Sequence, residues 1–264
     1  MKTLSAAVPT VLAFSAHDPS GAAGIQADIE SINRNGARCV SVITALTAQN
    51  TGIFGSLQPQ APSDFRNQAE LLLTDITVNV CKVGLVGSTP LITEIAVILK
   101  KQNNLPLVLD PVLRAGSGEP VSSDAIIAAL RTHLLPRTTV LTPNLQEVLQ
   151  LTGEKTRDAA AEEILTTGCR SVLITGADET TASVINTLYT RDHEPVQFEW
   201  ERLPGTYHGS GCTLASAIAA LLARGMEVNT AVRQAQQYTW HALQSGYHLG
   251  KSQLHPDRNY MDRS

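Results

Sequence analysis

The stretch HGSGCTLASAIAALLARG, residues 208–225, sets Gly209, Ser210 and Gly211 against a run of strong helix formers, with Cys212 at the join. Glycine has no Cβ, so a ligand can approach the main chain closely there. A helix predicted from Thr213 to Arg224 and ended by Gly225 would aim free N–H groups and its positive dipole end at the loop, which suits an anion. Cys212, on the first turn, would have its thiolate stabilised by that dipole and could take a proton from a substrate hydroxyl. A tight turn before a buried helix, with Cys212 as a small apolar residue, accounts for the same pattern.

Other residues supply a context for an anion. A phosphoryl group in the loop would need charge neutralisation, and Asp110 and Glu147 are hard oxygen donors able to hold Mg²⁺ directly or through its waters. Taken singly, each is better read as a solvated carboxylate or a helix cap than as a metal ligand; together they favour the metal. The turn AHDPSGAAGIQAD, residues 16–28, gathers Asp18, Gln26 and Asp28 around a tight backbone. Asp28 and Gln49 together could meet the ring nitrogen and amino group of a flat heterocycle. Unaided, a helix-face carboxylate and a satisfied strand-end amide explain these two as well. His17 and His208 flank the glycine-rich turns and, as loop histidines, stay outside the core assignment.

These residues need a frame. Apolar, β-branched runs at 10–16, 39–46, 79–86, 106–112, 138–144 and 171–176 predict buried strands. Helical patterns lie between them at about 22–34, 63–74, 89–102, 123–134, 144–152 and 157–167, with Thr89-Pro90 offering an N-cap and first-turn proline. Runs at about 182–189 and 195–202 predict an antiparallel hairpin at a sheet edge, and a last helix follows at about 228–245. This alternation indicates a mainly parallel sheet covered on both faces. Ligands bind such sheets at the carboxyl ends of the strands. Asp18, Gln49-Asn50, Asp110, Asn144 and Glu147 all punctuate that edge.

The 264 residues are 43% apolar and 17% charged, with a net charge of −4. That describes a globular chain read as one domain, 1–264, without a basic stretch for nucleic acid or a span for a membrane. Cys39, Cys81, Cys169 and Cys212 form no CxxC pair, so no zinc site is expected and the thiols read as those of a cytoplasmic protein. The opening MKTLSAAVPTVLAFSA resembles a leader only superficially: Pro9 interrupts the apolar run, and the segment is read as the first strand.

The segments HDPSGAAGIQADIESINRNGARCVSVITALTAQNT, KVGLVGS, VLDPVLRAGSGEPV, LTPNLQEVLQLTG and HGSGCTLASAIAALLARG resemble, in the same order, the hydroxymethylpyrimidine/phosphomethylpyrimidine kinases of the ribokinase superfamily. The resemblance implies a ribokinase-like three-layer α/β/α sandwich, ATP and Mg²⁺ as cofactors, and often a homodimer. It also implies phosphorylation of the aminopyrimidine precursor of thiamine on its hydroxymethyl group, then of the resulting monophosphate. Carried over by motif, Asp28 and Gln49 would bind the pyrimidine in a pocket lined by Ala23, Leu85 and Val112. Asp110 and Glu147 would serve Mg²⁺ and the phosphates, and Asn144 and Thr175 the nucleotide side. Gly209, Ser210 and Gly211 would form the anion hole, and Cys212 would stand where most of the superfamily has a catalytic aspartate. Leu85 replaces a usual methionine, and Gly116 and Thr175 replace lysines, with Arg114 a candidate to restore one charge. Two rival readings share these residues: a pyridoxal or pyridoxine kinase, and a catalytically weak pyrimidine-binding homologue.

Overall fold

The computed structural model describes residues 8–102 and 104–260. Residues 1–7 of the leader-like opening lie outside them. The apolar runs become β1 (Thr10–His17), β2 (Arg38–Gln49), β4 (Val80–Val83), β5 (Leu107–Leu109), β6 (Val140–Leu141), β7 (Ser171–Ile174), β8 (Ser183–Thr190) and β9 (Val196–Glu201). The unpredicted strand β3 (Phe54–Pro59) adds antiparallel to β2. The sheet order is β3-β2-β1-β4-β5-β6-β7-β8-β9, parallel from β2 to β7 and antiparallel at both edges. Strand β1 therefore has β2 on one side and β4 on the other: the chain leaves β1 toward β2 and leaves β4 toward β5, in opposite directions. That switch opens a crevice at the strand carboxyl ends.

The helices are α1 (Gly24–Arg34), α2 (Pro62–Asp75), α3 (Thr89–Lys101), α4 (Asp124–Ala129), α5 (Leu145–Thr152), α6 (Arg157–Thr166), α7 (Ser210–Ala223) and α8 (Val228–Gln244). Alternate residues of each strand face opposite layers. Leu12 and Phe14 pack with Phe65, Ile92, Ile95 and Ile164 of α2, α3 and α6. Val11, Val108 and Val140 pack with Ile32, Ile218 and Val232 of α1, α7 and α8. The result is a three-layer α/β/α sandwich.

Two helix starts differ from the sequence reading. Helix α3 is capped by Ser88, whose Oγ accepts from Leu91 N at 3.4 Å, rather than by Thr89. Helix α7 begins at Ser210, one turn before Thr213, because Gly209 takes a left-handed φ of 84° as N-cap. Gly211 and Cys212 are thus helical residues. Helix α7 is buried all round, from Thr213 to Leu221, which fits its nearly continuous apolar sequence.

One polar pair crosses the apolar interior. Lys82 of β4 is fully buried, with Nζ 2.9 Å from Asp28 Oδ1 of α1. The same oxygen accepts from Ser216 Oγ of α7 at 2.6 Å. Burial works to discharge Lys82, but Asp28, helped by Cys212 and Asp110, raises its pKa and keeps it an ammonium. Breaking such a pair leaves one charge stranded in a low-dielectric interior. The variant Lys82→Met should lose about 3–5 kcal/mol in urea unfolding, and Asp28→Leu with Lys82→Met should recover most of that loss.

Candidate functional site

The crevice is a cavity of about 550 Å³ along the carboxyl ends of β1, β4, β5, β6 and β7. Ala23, Gln49, Leu85, Val112, Asp110, Asn144, Glu147, Thr175, Gly209, Ser210, Gly211 and Cys212 all line it. Asp28 does not. It lies on the inward face of α1, where Lys82 and Ser216 hold it, so its proposed contact with a heterocycle is corrected to an internal ion pair. At the pocket's mouth Gln49 spends one N–H on Thr47 Oγ1, at 2.9 Å.

The first turn is built on the Asp18 carboxylate, which accepts from the Ser20 and Ala23 backbone N–H groups, both at 2.9 Å, and from Ser20 Oγ. His208, from the other glycine-rich turn, brings Nε2 to 3.0 Å from Asp18 Oδ2. Burial opposes the charge on Asp18, yet His208 and the Ser20 groups outweigh it and hold the carboxyl at about 2. The two turns are therefore fastened to each other, with the buried His208 among the cavity walls. A Cβ on Gly116 would overlap His208 Nδ1. No lysine fits at position 116 unless the imidazole moves.

Glu147 and Asn144 form a reciprocal cap on α5: Glu147 N donates to Asn144 Oδ1 at 2.8 Å, and Asn144 N to Glu147 Oε2 at 3.0 Å. Leu113 N donates to the other Glu147 oxygen at 3.2 Å. Each oxygen keeps one acceptor position, so the cap and a role toward a hydrated cation coexist. Burial, then the charge of Asp110, raises the Glu147 pKa to about 8. Burial also raises Asp110, against the pull of Lys82 and the Cys212 thiol, and Asp110 Oδ2 has no hydrogen-bond partner. Two buried carboxylates, the charge of one disfavouring that of the other and one oxygen orphaned, fit a divalent cation. Among the described residues no group of three or more His, Cys, Asp and Glu side chains forms a metal site. Magnesium characteristically needs only one or two carboxylates beside phosphate oxygens and water.

Cys212 departs from expectation in its charge. Burial pushes its thiol up to about 12, and the Asp110 carboxylate beside it raises it further than Lys82 lowers it. The side chain is a thiol beside Asp110, not a thiolate held by the helix end. Thiolate is the nucleophile toward alkylating agents, so its scarcity sets the rate. Cys212 should react with iodoacetamide roughly a thousandfold more slowly than a free cysteine between pH 7 and 9, and gain rate only near pH 11 and above, as read by peptide mass spectrometry.

Sequence reasoning missed three parts of this region. Lys82 was signalled only by a lone charge inside NVCKVGLV. The far end of the cavity is walled by Trp200 and Trp240, their rings stacked at 6.5 Å, and by Gln236, whose Oε1 accepts from Trp200 Nε1 and Asn186 Nδ2. Arg258 lies behind the glycine loop. Thr175, beside Asn144, has its backbone N–H on Pro143 O, and Arg114 donates to Gly118 O at 3.1 Å from the rim.

A doubly covered sheet with a topological switch, and a glycine-rich loop at the start of a buried helix lining one cavity with two buried carboxylates, is the arrangement of a ribokinase-like kinase. The sequence profile described as phosphomethylpyrimidine kinase matches residues 18–257. The hydroxymethylpyrimidine/phosphomethylpyrimidine kinase of Streptomyces coelicolor is 38% identical, over 92% of this chain and 91% of that one. The enzyme of the same description from Escherichia coli is 34% identical, over 88% and 90%. Among solved structures, phosphomethylpyrimidine kinase from Clostridium difficile superposes with a TM-score of 0.76 at 33% identity, over 88% of this chain and 98% of that one. Pyridoxal kinase from Staphylococcus aureus in complex with AMP-PCP and pyridoxal gives a TM-score of 0.88 at 26% identity, over 97% and 96%. The chain belongs to the phosphomethylpyrimidine kinase family.

Proposed function

We propose that this protein transfers the terminal phosphoryl group of ATP to 4-amino-5-hydroxymethyl-2-methylpyrimidine and then to its monophosphate, as a step in making thiamine. The observation that carries this reading is one continuous cavity. It joins a small pocket at Ala23, Gln49, Leu85 and Val112 to the glycine loop, and the loop to an aromatic end at Trp200 and Trp240. The pocket suits a flat ring, with the Gln49 amide for its polar edge. The aromatic end suits a purine, which stacks on indole faces.

Between the two ends the Ser210, Gly211 and Cys212 N–H groups at the start of α7 face the phosphoryl group, where preorganised donors act on charge that develops in the transition state. Magnesium held at Asp110 and through water at Glu147 would neutralise phosphate charge there. The Cys212 thiol, beside the Asp110 carboxylate, would accept the substrate hydroxyl proton as its own passes to that carboxylate. Phosphoryl transfer is loose, so this proton leaves late and a weakly basic sulfur suffices. No helix among the described residues is long and apolar enough to cross a membrane; as a kinase drawing on ATP, the protein is read as acting in the cytoplasm. The bare edge of β3 and the exposed Leu46 and Ile53 beside it support a homodimer.

Pyridoxal kinase structures superpose on nearly the whole chain, so pyridoxal is the competing acceptor. ADP release and product mass should be measured with the pyrimidine alcohol, its monophosphate and pyridoxal. Turnover of both pyrimidines with Mg²⁺ is expected, and Cys212→Ala should lower kcat by roughly 10²–10⁴-fold. Pyridoxal as the preferred acceptor would replace the reading. ATP turnover with none of the three would reduce the protein to a binding homologue.

A further inference from the structure

The chain after α8 returns to the site. Leu254 N donates to Thr206 O at 2.9 Å and Leu254 O accepts from His208 N at 3.0 Å, joining this segment to the approach of the glycine loop. His255 Nε2 lies 3.1 Å from Ser20 O in the first turn. Tyr238 OH of α8 donates to Arg258 O at 3.0 Å and fixes the backbone there. These contacts deliver the Arg258 guanidinium, 2% exposed, into the seam between the two glycine-rich turns.

Four of its five N–H donors are directed to named partners. Nη1 reaches Glu30 Oε2 at 2.9 Å and Gly21 O at 3.4 Å, Nη2 reaches Ala22 O, and Nε donates to Thr213 Oγ1 at 2.9 Å. Thr213 Oγ1 in turn donates to Gly209 O at 2.8 Å, and that carbonyl also accepts from Thr213 N at 2.9 Å. The carbonyl of Gly209 and the N–H of Ser210 share one rigid peptide plane. Whatever fixes that carbonyl fixes the direction of the first donor of the anion hole. A Cβ on Gly209 would overlap Ala22 O and come within 2.9 Å of Arg258 Nη2, so the loop is seated directly on this guanidinium.

We propose that Arg258 is a positioning residue for phosphoryl transfer: through Thr213 and Ala22 it sets the Gly209–Ser210 peptide that aims the anion hole at the transferring group. It touches neither substrate. Its carboxylate partner Glu30 is 44% exposed. This device stands in a chain whose positions 116 and 175 carry no lysine. The inference deepens the kinase reading and rests on it.

The test uses the full chain with Arg258→Met, Arg258→Lys and Thr213→Val. Displacement of a catalytic group by a fraction of an ångström is worth roughly 10- to 100-fold in rate. Arg258→Met should lose that factor in kcat, with KM for ATP and the acceptor within about threefold of wild type. Arg258→Lys should fail to restore it, because a point charge cannot bond Thr213 and two carbonyls together. Thr213→Val, which leaves the guanidinium in place, should show the same pattern to a smaller degree. In calorimetry the variants should weaken binding of ADP with aluminium fluoride, which mimics the transferring group, and leave ADP alone unaffected. A kcat within threefold of wild type in folded Arg258→Met overturns the proposal. So does a parallel fall of kcat, ADP affinity and Tm in Thr213→Val, which would make the seam a matter of folding alone. The calorimetric comparison needs no turnover, so a wild-type protein inactive on every alcohol would sink the kinase reading while the two affinities still decide the role of Arg258.

Discussion

A fully buried ammonium can persist only if something in the interior is obliged to accept it. Lys82 and Asp28 meet that demand for each other, and the geometry of the site follows from where they stand. Lysine comes from the strand next to β1, aspartate from the helix after β1, and Ser216 from the helix that carries the glycine loop. The pair therefore ties the sheet, α1 and α7 at one point under the cavity. Ser216 is one turn beyond Cys212, so fixing its hydroxyl fixes the rotation of α7 and with it the direction of the Cys212 thiol. The same ammonium is felt by Asp110, where it works against the rise that burial imposes.

Above that pair, two turns rich in glycine lean on each other, backbone against backbone where Gly209 meets Ala22. Gly209 approaches the Ala22 carbonyl so closely that only a hydrogen fits, and Asp18 fastens its own turn and His208 together. The Gly209–Gly211 loop is consequently not a free loop at the mouth of a helix. Its backbone is gripped from below by Thr213, from one side by the first turn and from behind by Arg258. Electrostatic catalysis depends on donors that need not reorganise as charge develops, and close packing of backbone on backbone would hold the loop's N–H groups in that way for the proposed transfer.

Much of this was legible in the sequence, and its gaps have physical causes. The strand–helix alternation and the polar residues at strand ends are local patterns, and they place Gln49, Asp110, Asn144 and Glu147 along one edge. Strand β3 was missed because FGSLQP is too polar and exposed to show a buried period, being paired only along one side. The start of α7 was read late because Ser-Gly-Cys is a poor helical opening, and only tertiary packing makes it helical. Asp28 was assigned to the ligand because spacing shows that a residue is on a helix, not what stands opposite it. Cys212 was expected to be a thiolate from the helix dipole alone, whereas burial and Asp110 dominate its environment. Arg258 was out of reach for a plainer reason: it bonds a carbonyl 236 residues away.

The aromatic end of the cavity has a consequence for how the protein can be watched. The chain has two tryptophans, Trp200 and Trp240, and both stand in the wall of this one cavity. Their indole N–H groups are engaged by Gln236 Oε1 and Glu201 O, and the rings lie nearly parallel at 29°. All indole fluorescence of the molecule therefore originates at the site itself, with no emitter elsewhere in the chain to dilute it. Ring stacking and the entry of a guest between wall and solvent both alter indole emission, so the cavity carries its own optical reporter.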